Sequence, residues 1–160
     1  MLARELLSGA IRRLTASGSP DPEADALWLL SDALRVHRGA LPLRLGDDVT
    51  GDDLKWFEQA LSRREGGEPL QYVEGFAFFY GRRFLVDPRV LIPRSDTETL
   101  CEAALGRLRP GMKVLDLCTG SGILAISFAL EAPGLDATGA DISRDALQVA
   151  RENAQLNHLD

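Results

Sequence analysis

The sequence has few of the residues that stabilise small secreted or metal-dependent folds. Its 160 residues include only two cysteines, Cys101 and Cys118, and two histidines. Two cysteines are too few for a disulfide framework or a zinc site, so we predict two reduced thiols and no bound metal. Apolar residues make up 45% of the chain, as in an ordinary globular protein. A chain of this length can build a hydrophobic core without cross-links.

Long apolar runs and a basic excess are also missing. No segment approaches the roughly 20 consecutive apolar residues that span a bilayer, and charged residues near the start argue against a signal peptide. We therefore expect a cytoplasmic protein without a membrane anchor. The net charge is −6, from 18 basic and 24 acidic side chains. Binding to nucleic acid requires a basic face, so no direct nucleic-acid partner is expected. The sequence carries no signal for an oligomeric state.

The first part of the chain has the apolar periodicity of a small helical bundle. The 3.6-residue period predicts helices over about 2–16, 22–36 and 51–64. Thr50 and Asp53 resemble a capping box at the start of the third helix, with Asp in place of the usual Glu. The next stretch is rich in aromatic and β-branched residues. It predicts a β-hairpin that turns at Tyr80-Gly81.

The last part of the chain alternates predicted strands and helices. The apolar run 113–117 predicts a buried parallel strand, and the glycine-rich turn 120–122 and a helical pattern follow it. A second strand, 137–140, ends at Asp141. This order predicts the start of a doubly wound α/β sheet. The predicted fold class is therefore multidomain: an all-α N-terminal bundle, a β-hairpin linker, and the start of a Rossmann-like α/β domain.

A glycine-rich turn between a strand and a helix favours a site for a nucleoside-bearing cofactor. Its backbone can approach a ligand closely, and the helix start offers free N–H groups. Gly120, Gly122, Ala125 and Asp141 also fit the dinucleotide pattern. Asp116 favours S-adenosylmethionine (SAM) instead, because a carboxylate suits a zwitterionic methionine end and repels a pyrophosphate. A third interpretation is that Asp116 only caps or orients the helix in a fold without a cofactor.

Several stretches of the chain match one known family. They are Gly67–Tyr72, Leu91–Glu98, Asp116–Gly122, Ala140–Ser143 and Ala150–Asn153. On these stretches the chain resembles the HemK/PrmC-like N5-glutamine methyltransferases of peptide chain release factors. The resemblance implies a helical N-terminal domain over 1–70 that docks the release factor and a β-hairpin linker over 71–93. It also implies the N-terminal part of a class I SAM-dependent methyltransferase domain over 94–160.

The resemblance also implies a cofactor site for SAM. Its residues are Asp116, Cys118, Thr119, Gly120, Ser121, Gly122 and Asp141. The loop would line the methionine end of SAM, and Asp141 would hold the ribose. Cys118 stands where the family has the first glycine of the loop, and its Cβ restricts the backbone there.

The segment before this loop has two interpretations. Ser95 and Glu98 match an S-x-x-E capping box for a helix over about 96–108, which is a structural role. Alternatively, Arg94, Thr97 and Glu98 shape the mouth of the cofactor or substrate site. Arg94 could pair with a carboxylate of the active-site wall or with a surface acid.

The family transfers a methyl group from SAM to a glutamine amide in the Gly-Gly-Gln loop of class 1 release factors, in translation termination. Its Asn-Pro-Pro-Tyr motif, which orients that amide, does not occur in the 160 residues. No catalytic residue is therefore assigned. We expect these residues alone to lack transferase activity and to bind SAM weakly or not at all. The alternatives are a helical module that docks release factor without catalysis and a SAM-dependent nucleic-acid N-methyltransferase.

Overall fold

A computed structural model describes residues 1–159, which form two compact units. The first unit ends at Glu74 and the second begins at Gly75. Residues 71–74, which the sequence analysis places in the linker, are instead part of the last helix of the first unit. No helix within the described part of the chain is long and apolar enough to cross a membrane.

The first unit consists of helices. They are α1 (Ala3–Ala16), α2 (Pro22–Ala33), a 3₁₀ helix (Arg38–Arg44), α3 (Gly51–Glu65) and α4 (Leu70–Glu74). The helix predicted to reach residue 36 ends at Ala33, because Arg35 adopts a φ of +53° that a helix cannot contain. The predicted Thr50/Asp53 capping box is wrong. The Thr50 side chain accepts no capping hydrogen bond, and Asp53 pairs with Arg35 at 3.2 Å instead.

The apolar stripes of α1, α2 and α3 meet in one core. Its largest fully buried members are Leu14, Leu29, Leu30, Leu41, Val49, Phe57 and Leu61. At its edge, the buried Asp25 carboxylate accepts hydrogen bonds from Arg64 Nε at 2.8 Å and from Ser19 Oγ at 2.6 Å. The charge buried at Asp25 is therefore paired, as a charge removed from water must be.

The second unit contains two small sheets and three helices within its described residues. Strands β1 (Phe76–Phe79) and β2 (Arg82–Leu85) form the predicted hairpin. They are followed by α5 (Ser95–Leu105), β3 (Lys113–Leu117), α6 (Ile123–Glu131), β4 (Asp136–Ala140) and α7 (Arg144–Leu156). β3 and β4 pair in parallel, with Asp116 opposite Gly139. The carboxyl ends of β3 and β4 therefore lie at the same edge of the sheet. The glycine turn follows β3 at this edge, and Asp141 follows β4.

The hairpin turn explains why one sequence prediction fails. Tyr80 and Gly81 have φ of +51° and +75°, the conformation of the tight turns that match strand twist. Glu98 Oε1 accepts the Tyr80 N–H at 2.7 Å. The Ser95/Glu98 capping box is thus wrong, because Glu98 contacts the hairpin, and α5 has no side-chain cap. The helix also ends at Leu105 rather than near residue 108.

The prediction that β3 is buried is wrong for one of its faces, and the other face is only partly buried. The core of the unit contains Phe79, Phe84, Cys101, Ile126 and Phe128, and Val114 packs against it. The alternate residues Leu115 and Leu117 are 58% and 69% exposed. Because successive side chains of a strand point to opposite faces, one face of this sheet is uncovered within the described residues.

Candidate cofactor site

The segment that joins β3 to α6 is a loop of unusual backbone geometry. Cys118, Gly120 and Gly122 have φ of +61°, +55° and +81°. Glycine adopts such angles freely, whereas a residue with a Cβ adopts them at a cost. The loop therefore places a strained, exposed cysteine directly after the strand. This is the position at which the sequence departs from the glycine of the family.

Two carboxylates hold this loop in place. Asp116 Oδ2 accepts hydrogen bonds from Thr119 Oγ1 at 2.6 Å and from the Ala125 N–H at 3.3 Å. Asp141 accepts the Ser143 N–H on Oδ1 and the Gly120 N–H on Oδ2, both at 2.9 Å. These backbone hydrogen bonds lower the pKa of Asp141, so its carboxylate is ionised at neutral pH. Both acids thus organise the loop through these hydrogen bonds.

Two glycines permit the close packing around the loop. A Cβ on Gly139 would lie 2.8 Å from Thr119 Oγ1, and a Cβ on Gly122 would lie 3.1 Å from Ala150 Cβ. A side chain at either position would displace the loop or separate α6 from α7. The start of α6 is therefore held against α7 and β4 by backbone packing.

A cavity of about 310 Å³ lies beside the loop. Five of the predicted cofactor residues line it, namely Asp116, Cys118, Thr119, Gly120 and Ser121. Arg94 and Thr97, predicted to shape the mouth, line the same cavity, together with the Leu91–Pro93 segment. Its volume is at the lower end of the range for small-molecule sites. The structure thus brings the segment before α5 and the glycine loop together.

Three predicted residues lie outside this cavity. Gly122 and Asp141 do not line it, and Glu98 instead borders a separate cavity of about 160 Å³ with Phe78 and Phe79. Arg94 borders both cavities and forms no ion pair with any residue from 1 to 159. Its guanidinium is the one group at the cavity wall whose positive charge has no carboxylate partner in that range.

The first turn of α6 offers unpaired N–H groups at the cavity. Ile123 and Leu124 line it, and their backbone N–H groups meet no acceptor among residues 1–159. Unpaired N–H groups at a helix start attract anionic groups. This cavity can therefore accept a small ligand that carries a carboxylate.

Asn153 is a residue near the site that the sequence analysis quotes only as part of a family stretch. It is fully buried in α7, and its amide contacts both the glycine loop and β2. Its spacing from Ala146 and Val149 places it on the buried face of that helix. The sequence does contain a signal for Asn153, because it is a polar residue within the apolar stripe of a helix. A buried polar group requires hydrogen-bond partners.

The site and the elements around it define a class of protein. A helical unit precedes an α/β unit in which a glycine loop between strand and helix borders a cavity. Residues 5–75 match the family model of the PrmC N-terminal domain, and residues 95–160 match that of ribosomal protein L11 methyltransferase (PrmA). The second of these models describes a methyltransferase.

The curated relatives agree on a single family. The chain is 41% identical over 157 residues to the release factor glutamine methyltransferase of Koribacter versatilis, an alignment that covers 96% of the chain and 56% of that relative. It is 41% identical over 162 residues to that of Deinococcus radiodurans, covering 100% of the chain and 58% of the relative. The chain is therefore similar, over nearly its whole length, to release factor glutamine methyltransferases. It spans a little more than half the length of these relatives.

Proposed function

We propose that this protein takes part in the SAM-dependent methylation of the glutamine side-chain amide in the Gly-Gly-Gln loop of peptide chain release factors. The observation that carries the proposal is the cavity that Asp116 and the glycine loop share with Arg94 and Thr97. The names of the curated relatives support the same reaction. The Asn-Pro-Pro-Tyr motif of the family is not among the 160 residues, so these residues supply cofactor and substrate binding rather than amide orientation.

The chemistry of the cavity fits the methionine end of SAM. That end carries a carboxylate, an ammonium group and a sulfonium. The unpaired N–H groups of Ile123 and Leu124 suit the carboxylate, and Asp116 suits the positive groups. A pyrophosphate would meet the Asp116 carboxylate at the same place. When bound, SAM would supply the methyl group, and the loop would orient it.

Asp141 has a different role in this proposal. Its two oxygens already accept backbone N–H groups, but each oxygen has a further lone pair. A ribose can therefore donate hydroxyl hydrogen bonds to Asp141 without displacing the loop. Asp141 would then hold the loop and the ribose together.

We assign different tasks to the two units. The helical unit docks the release factor, and the second unit contains the hairpin and the first part of the cofactor domain. The acidic balance of the chain disfavours a nucleic-acid substrate. Immobilised residues 1–74 are expected to retain release factor, and residues 75–160 are not. Retention by the second fragment alone would contradict the assignment.

A chimera tests the reaction itself. Residues 1–160 replace the aligned segment of the Deinococcus radiodurans relative, in which the whole chain is covered. With labelled SAM, the chimera is expected to label a release factor on glutamine, while residues 1–160 alone do not. Asp116→Asn is expected to lower the rate about tenfold or more, because a hydrogen bond to a charged group contributes about 1.5–3 kcal/mol.

The chimera experiment has a matched control, and two results would contradict the proposal. Asp145→Asn removes an exposed carboxylate from the first turn of α7 and is expected to leave the rate unchanged. A folded chimera that binds SAM but labels RNA or DNA instead of release factor contradicts the proposal. So does a folded chimera that labels release factor equally well with and without the Asp116 carboxylate.

A further inference from the structure

The side-chain amide of Asn153 uses its carbonyl oxygen once and both of its N–H groups. Its Oδ1 accepts the Leu85 N–H at 2.6 Å, and its Nδ2 donates to Leu85 O at 3.0 Å and to Ser121 O at 2.9 Å. The residue is fully buried. These three hydrogen bonds join α7 to the backbone of two segments that are distant in sequence, so the side chain does more than fill space in the core.

The bond to Ser121 fixes one peptide group of the glycine loop. The carbonyl of this peptide bonds to Asn153, and its N–H, on Gly122, donates to Thr119 O at 2.8 Å. Glycines with positive φ stand on both sides of Ser121, so the local backbone has the freedom to flip this peptide. A flip must break both hydrogen bonds. Asn153 therefore restrains the part of the loop where the backbone is most free to move.

The two bonds to Leu85 fix the end of the hairpin. Asn153 presents a carbonyl and an N–H to the backbone of β2, as a neighbouring strand would. One buried side chain thus holds β2 and the glycine loop on α7. Neither aspartate nor leucine can replace it, because the site needs an acceptor and two donors.

We propose that Asn153 is a positioning residue for the cofactor loop, which it holds in the orientation for binding the methionine end of SAM by linking Ser121 to strand β2. The inference rests on the proposed function in assigning SAM to the loop. The restraint on the loop itself requires no ligand. The two statements can therefore be tested separately.

Amide hydrogen exchange of the ligand-free chain, followed by NMR, tests the restraint. Asn153→Leu retains most of the side-chain volume and removes all three hydrogen bonds. Val149→Ala is the matched control, since it opens a fully buried position one turn earlier in α7 and removes no side-chain hydrogen bond. At equal global stability, set with urea, the Gly122 and Leu85 amides are expected to exchange about tenfold faster in Asn153→Leu than in Val149→Ala. Equal rates in the two variants overturn the proposal.

The unsubstituted chain provides a measurement that does not depend on the variant folding. The two Nδ2 protons of Asn153 are expected to exchange far more slowly than those of the exposed Gln148. Exchange of the Asn153 protons at the rate of Gln148 overturns the proposal.

Titration with SAM then distinguishes the inference from the proposed function. In the chimera described above, SAM is expected to shift the resonances of the Gly122 amide and of the Asn153 side chain together. The chimera with Asn153→Leu is expected to bind SAM about tenfold more weakly than the chimera with Val149→Ala. Equal affinities of the two variants overturn the role of Asn153 in cofactor binding. If SAM shifts no loop resonance of the chimera described above, the cofactor assignment is wrong, and the exchange rates alone decide whether Asn153 restrains the loop.

Discussion

The two units differ in how completely they enclose their apolar residues. The helical unit surrounds Phe57 and its aliphatic neighbours with three long helices. The second unit covers one face of its parallel sheet and leaves Leu115 and Leu117 exposed on the other. Parallel sheets are almost always covered on both faces. The helical unit therefore has a closed core, whereas the α/β unit has a formed loop on an incompletely covered sheet.

The largest effect is expected from a substitution at the centre of the closed core. Phe57→Ala is expected to lower the free energy of unfolding of the helical unit by about 3–5 kcal/mol, because it deletes a fully buried ring. Both tryptophans, Trp28 and Trp56, lie in this unit, so their fluorescence in urea reports its unfolding. The exposed Gln59→Ala on the same helix is the control, with an expected change within about 0.5 kcal/mol. Equal effects of the two variants would contradict the closed core.

The same contrast decides how much of the fold could be predicted. Apolar patterning placed α1, α3 and β3 within one or two residues, because local spacing determines which face of an element is buried. It did not predict that Leu115 and Leu117 are exposed, since an apolar strand has the same sequence whether one or both faces are covered.

The errors at the site also have a physical cause. Thr50 and Glu98 match capping patterns, but Glu98 bonds to Tyr80, which is distant in sequence. A capping motif indicates which backbone groups a side chain can reach within one helical turn. It does not indicate whether a group from another element competes for that side chain. Asn153 was overlooked for the same reason, because its partners Ser121 and Leu85 lie in other elements. The position of the glycine loop between β3 and α6 was predictable, since it depends on local order along the chain.

The next largest effect concerns pH and the helical unit. Glu74 is buried beside Asp32 and Arg38, and burial, reinforced by the Asp32 charge, raises its pKa from 4.5 to about 7. The folded unit therefore binds a proton that the unfolded chain releases between these two values. The stabilisation that this protonated carboxyl contributes is complete below pH 4.5 and is lost as the pH rises through 7.

Glu74→Gln isolates this contribution. Its free energy of unfolding is expected to vary less between pH 5 and 8, with a difference from the unsubstituted chain of the order of 2 kcal/mol. Urea titrations followed by tryptophan fluorescence at several pH values measure it. Glu58→Gln, in which an exposed carboxylate partner of Arg13 is changed, is the control. An unchanged pH profile in Glu74→Gln contradicts the buried-carboxyl explanation.

A smaller effect is expected for the hairpin of the second unit. Glu98→Ala removes the acceptor of the Tyr80 N–H and is expected to cost about 1–2 kcal/mol. Glu98→Gln retains a carbonyl acceptor and is expected to recover about half of that loss. Glu102→Ala, exposed on the same helix, is the control. Far-UV circular dichroism in urea measures the three variants, and a loss in Glu102→Ala as large as in Glu98→Ala would show that the hairpin contact is not the cause.

The smallest effect addresses the strain in the cofactor loop. Cys118→Gly is expected to stabilise the second unit by about 0.5–1 kcal/mol. At a φ of +61° the Cβ of cysteine is in steric conflict with the backbone, and glycine has no Cβ. The strain removed exceeds the entropy that glycine loses on folding. Cys118→Ala is the matched control, since it removes the thiol but keeps the Cβ. Thermal unfolding followed by circular dichroism compares the two variants. If Cys118→Gly is no more stable than Cys118→Ala, the backbone at this position is not strained, and the cysteine in place of the family glycine costs the loop nothing.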